Sequence, residues 1–234
     1  MRTRNPLQSA GCLVLSGLGL AAGAYAGYAA VTWLRYGQAK TAARPEDRDT
    51  LLDEFMPAYD VVERHRIRVD APAATTLAAA SDTDLSDSRV VRAIFAARQM
   101  LMGASPDDEA QPRGILAQTK ALGWGVLADV PDREIVMGAV TRPWEANVTF
   151  HALPPDQFAA FHQPGFVKIA WTLRADPLAD GASMFRTETR AIATDAGSRR
   201  RFRRYWAAVS PGIILIRRAM LKPVRHEAER RARS

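Results

Sequence analysis

The chain has 234 residues, 47% hydrophobic and 24% charged, enough for one domain with its own core and too apolar for wholesale disorder. Its single cysteine, Cys12, excludes a disulfide framework. The formal net charge of +7 is uneven: residues 199–234 hold twelve Lys or Arg against Glu227 and Glu229, whereas residues 35–198 sum to −5.

After a short tail, 1–9, residues 10–34 run 25 positions without a charge. At about 1.5 Å per residue a helix of that length exceeds the roughly 30 Å hydrocarbon core of a bilayer, which predicts a single N-terminal transmembrane helix. Trp33 and Tyr36 suit the headgroup boundary. The triplet Ala24-Tyr25-Ala26 resembles a signal cleavage site, but apolar sequence continues to Leu34, which favours a retained span. Gly19, Gly23 and Gly27 share one helix face, as spans that self-associate require, and would let a second copy approach to form a homo-oligomer. Arg35, Lys40, Arg44 and Arg48 outnumber Arg2 and Arg4, which tips the folded part toward the cytoplasm.

Residues 35–58 read as a juxtamembrane linker, helical at "DTLLDEFM". The period changes at Tyr59. In "YDVVERHRIRVDAP", Val61, Glu63, His65, Ile67 and Val69 take one side, and Val62, Arg64, Arg66, Arg68 and Asp70 take the other, which predicts a strand. Helices follow at "AATTLAAAS", "SDSRVVRAIFAARQMLMG" and, after a polar Pro/Asp/Glu loop, "ILAQTKAL". Strands then return at "WGVLADV", "REIVMGAVT", "ANVTFHAL", "FVKIAWTLRADPL" and "ASMFRTETRAIAT", with a short helix "PDQFAAFH" between the third and fourth.

The last element, "SRRRFRRYWAAVSPGIILIRRAM", spaces Phe202, Trp206, Val209, Ile213, Ile216 and Met220 at helical intervals, a stripe that must face the sheet. Ser210-Pro211-Gly212 predicts a kink or break. Arg199, Arg200, Arg203, Arg217 and Arg218 fall mostly off the stripe, where they could meet an anionic membrane surface. No nucleic-acid reading motif accompanies the charge. Residues 223–234 read as a basic tail.

Strand, helices, antiparallel strands and a long final helix make an α+β order. That order, together with "YDVVERHRIRVDAPAATTLAAA" and "FRTETRAIATDAGSRRRFRRYW", resembles the START-like (SRPBCC, polyketide cyclase) helix-grip superfamily over residues 59–222, specifically a bacterial subgroup without assigned activity. The resemblance implies an antiparallel sheet wrapped around the C-terminal helix, enclosing an apolar cavity.

Chemistry-bearing residues are few. His65 sits on the less charged side of its strand, and His151 and His162 have no metal-ligand spacing, so neither metal nor cofactor is expected. Arg186, Glu188 and Arg190 share a strand face that reads as a solvent-side ladder. Aromatic and aliphatic groups on strand faces and ends, with His65, make the candidate ligand pocket: Trp124, Trp144, Phe150, Ile169, Trp171 and Trp206. The expected function is membrane-anchored binding or carriage of a lipid or apolar small molecule. The alternatives are a cyclase- or hydratase-type enzyme using His65 or Glu188 as acid/base, or an assembly protein acting through the glycine face and basic tail.

Overall fold

Alternation over 59–72 becomes β1 (Val61–Val69), an edge strand of a six-stranded antiparallel sheet. A computed structural model describes residues 23–37, 48–84, 92–93, 96 and 112–234. The other strands are β2 (Gly125–Val130), β3 (Glu134–Thr141), β4 (Phe150–His151), β5 (Val167–Pro177) and β6 (Ser183–Ala193). Their order is β1-β6-β5-β3-β2, with β4 paired to β3. The helices are α1 (23–35), α2 (Thr50–Phe55), α3 (Ala73–Asp82), α4 (Ile115–Ala121), α5 (Pro155–Ala160) and α6 (Ala196–Arg233). The helix expected over 86–103 falls largely outside the described residues.

The register fixes two faces. Across the sheet run the rows Ile67–Phe185–Ala175 and Glu63–Thr189–Trp171–Met137, on the side that α6 and α3 cover. Phe202 and Trp206 of α6 pack with Val61, Val167 and Ala191, and Met220, Val224 and Ala228 pack with Trp171, Leu173 and Phe185. The apolar stripe therefore meets the sheet, the long-final-helix arrangement of a helix grip. α3 joins the second cluster through Leu77, Ala79 and Ala80.

Three local expectations are revised. The helix is continuous through Pro211 and Pro223, so Ser210-Pro211-Gly212 does not break it. Residues 223–233 extend that helix and bury Val224 and Ala228, so the boundary drawn at 222 falls inside one element. The strand expected over 146–153 pairs only at Phe150 and His151. There the chain leaves β3 to lie on Gly123, where a Cβ would stand 2.3 Å from the Phe150 carbonyl oxygen and where φ is +95°. Only glycine permits that approach.

The opposite face is not open to solvent. α2, within the stretch read as a linker, buries Leu52 and Met56 against Val136, Val140 and Ala170, and α5 adds Phe158. A Cβ at Gly138 would lie 2.5 Å from Leu127 Cδ1 and 3.1 Å from Phe158 Cε2, so this glycine lets α5 sit down on β3.

Among the described residues no helix is long and apolar enough to cross a membrane. Residues 10–22 of the expected span, including Gly19, lie outside them. Its second half, α1, lies along α6: Tyr25 Oη donates to the Ala208 carbonyl, Tyr28 Oη is 3.3 Å from Ser210 Oγ, and Arg203 donates to the Trp33 carbonyl at 2.6 Å and covers its ring. Gly23 and Gly27 have nothing within 4 Å of a would-be Cβ.

Candidate functional site

The contact between α6 and the sheet is made at two ends. Ser198, Phe202, Trp206, Ala207 and Ser210 are buried near the helix start, and Met220, Val224 and Ala228 near its finish. From Pro211 to Ala219 no residue is buried, although Ile213 and Arg217 turn toward the sheet. The helix thus buries residues against the sheet at both ends, and its middle is only partly buried, with Ile213 packed on the core and Arg217 over Trp171.

The face beneath that middle is mixed. Trp171 is buried, 6.3 Å from Trp124 between ring centroids, and Trp124 is 4.9 Å from Phe150. Beside these rings lie Thr187, Thr189, Glu63 and His65, brought together by the pairings Glu63↔Thr189 and His65↔Thr187. Glu63 Oε2 is 3.9 Å from His65 Nε2. His65 Nε2 and Thr189 Oγ1 are buried without a hydrogen-bond partner. An orphaned buried polar atom costs roughly 1–3 kcal/mol, so two in one place call for something to satisfy them.

Charge enters from the helix. Arg217 lays its guanidinium 5.0 Å from the Trp171 centroid and donates from Nη1 to Thr187 Oγ1 at 3.3 Å. Burial pushes Arg217 down to about 10. Burial, then the charges of Arg217 and Arg218, lower His65, so its imidazole stays neutral near pH 7. Burial raises Glu63, against Arg218. A neutral imidazole beside a carboxyl can accept or pass a proton.

Of the expected pocket, Trp171 and His65 face the middle of α6 near Arg217, and Trp124 and Phe150 continue from Trp171 ring to ring. Trp144, Ile169 and Trp206 belong to the other cluster, with Phe202 5.9 Å from Trp206 and Arg201 over Trp144. Of the five arginines placed on an outward face, Arg199, Arg200 and Arg218 are exposed, and Arg199 pairs with Asp60 at 2.6 Å. Arg203 is engaged by α1, and Arg217 points inward. Helical spacing reveals Arg217: it lies four residues after Ile213 and three before Met220. Glu63 was legible too, two positions from His65 on one strand.

The solvent-side ladder is corrected. Glu188 and Arg190 are buried beneath α2, which supplies the partners. Arg190 donates from Nε to Glu188 at 2.7 Å and from Nη1 to Asp53 at 2.6 Å and to the Met56 carbonyl at 2.7 Å. Arg64 holds Glu188 with two bonds of 2.9 Å. Asp176 bridges Arg174 and Arg186 at 2.7 and 2.8 Å. A cleft of about 150 Å³ opens here, lined by Asp49, Arg64, Thr172, Arg174, Arg186 and Glu188 among others. Its cations and anions are already matched, which suits a structural network more than a ligand site.

No family model and no curated protein matches the chain. Among solved structures it is similar to a hypothetical protein from Helicobacter pylori, at 7% identity over 75% of this chain and 93% of that one, with a TM-score of 0.37. It is also similar to KanY, at 16% identity over 72% and 97%, TM-score 0.32. CalU16 from Micromonospora echinospora matches at 12% identity over 72% and 94%, TM-score 0.24.

Proposed function

We propose that this chain binds an apolar molecule between the middle of α6 and the inner face of the sheet. The observation that carries the reading is the nine-residue stretch, Pro211 to Ala219, without a buried residue, opposite Trp171, Trp124 and two unsatisfied polar atoms. Aromatic walls with a few convergent polar groups are what small-molecule sites require. Mass spectrometry of organic extracts from the purified full chain should reveal a retained apolar molecule. Thr189→Trp, which puts an indole at the position paired with Trp171, should abolish the retention without unfolding the protein. A wild-type extract with no such molecule, from protein that also fails to bind a fluorescent fatty acid, would overturn the proposal.

The membrane belongs to the same reading. It is supported by the uncharged run 10–34 and by exposed Tyr25, Val31, Trp33, Leu34 and Leu215 near the exposed cations Arg199, Arg200 and Arg218. Because α1 lies along α6, insertion of that run would bring the 203–215 stretch to the bilayer boundary, where each nearby cation contributes about 1 kcal/mol on anionic lipid. The full chain should stay in the membrane pellet through an alkaline carbonate wash. Its recovery in the supernatant counts against an inserted anchor.

A further inference from the structure

We infer that the molecule held under α6 carries an oxyanion head, a carboxylate or a phosphate, and that Arg217 receives it. This rests on the binding site proposed above and names the ligand class for it.

Arg217 lacks an anionic partner among the described residues. A guanidinium presents five N–H donors in a planar fork suited to two oxygens of one anion. Arg217 uses one of them, on a neutral hydroxyl at 3.3 Å. The contrast with the other face is direct: Arg64, Arg174, Arg186 and Arg190 each hold a carboxylate at 2.9 Å or less. Burial alone acts on Arg217, with no compensating negative charge. A half-buried cation in that condition is stabilised by a counter-charge brought from outside.

The surroundings suit a head with a tail. The guanidinium lies over Trp171, 5.0 Å from its ring centroid, which holds the cation at the aromatic wall. Thr187 Oγ1 marks one side of the head site. Thr189 Oγ1 and His65 Nε2, buried and unpaired on the same face, are further polar groups for a head to engage. The tail would lie along Trp171, Trp124 and Phe150.

The test titrates the full chain with cis-parinaric acid and with its methyl ester, which has the same tail and no charge. The acid should bind about tenfold tighter than the ester, the effect of one charge-assisted contact. Arg217→Met should erase that difference, the acid falling to the ester's affinity, and an unfolding midpoint like the wild type's shows that the variant is folded. Arg217→Lys should restore part of the preference. Displacement of the probe by dodecyl phosphate better than by dodecanoate assigns a phosphate head, and the reverse order a carboxylate. Inorganic phosphate alone should displace nothing. Equal affinity for acid and ester in the wild type, or a preference that survives Arg217→Met, overturns the inference and leaves the apolar site standing. Binding of neither probe overturns both.

Discussion

Replacing Arg190 with methionine should destabilise the protein by about 3–5 kcal/mol, the range for removing one partner of a buried ion pair. Arg190 is 2% exposed and ties three things together: Glu188 on its own strand, Asp53 of α2 and the Met56 carbonyl where α2 ends. Methionine fills the space but returns no hydrogen bonds. Asp53 and the Met56 carbonyl then lose their donor, while Glu188 keeps Arg64. The damage should be directional: α2 loosens first, so the Leu52 amide exchanges faster than amides of β5. Asp53→Asn, at the half-exposed end of the network, should cost only about 0.5–1 kcal/mol. Denaturant unfolding of the three proteins checks this. A loss below about 1 kcal/mol for Arg190→Met would mean that α2 docks through Leu52 and Met56 alone.

The same residues show what could be read in advance. Period-two alternation in 59–72 and 182–194 and the 3.6-period stripe from Phe202 to Met220 gave the strands, the final helix and the inward face, because each element's pattern is set by the side it buries. The burial of Glu188 and Arg190 was not legible. Alternation says that charged residues share a face and is silent about what covers it, and here the cover is a six-residue helix 130 or more positions earlier. Arg217 was hidden by composition: one arginine among many looks like its neighbours until the helix phase is followed. The aromatic set was found as residues but not as a group, because its division between two clusters depends on sheet register, which Trp144, in the loop after β3, does not share.

Glu134 should make stability fall as pH rises. Its carboxyl is 5% exposed under the start of α2, and burial, reinforced by the hydrogen bond and charge of Asp49, pushes it up to about 8. Unfolded, it returns to about 4.5. Between those values the folded chain holds a proton that the unfolded chain has released, so stability decreases through this window and levels off above it. A neutral amide removes the effect. Glu134→Gln can still donate to Asp49, which caps α2 by accepting from the Leu52 amide at 2.8 Å. The variant should therefore match the wild type near pH 4.5 and exceed it by about 2–4 kcal/mol at pH 9, with most of the slope between pH 5 and 8 removed. Arg174, 4.0 Å from Glu134, favours the ionised form and keeps the carboxyl from being pushed higher still. Urea unfolding at several pH values distinguishes the cases. A wild-type stability that rises from pH 5 to 8, or a Glu134→Gln variant with the same slope, would show that Glu134 is ionised in the folded protein and that α2 is not seated on a shared proton.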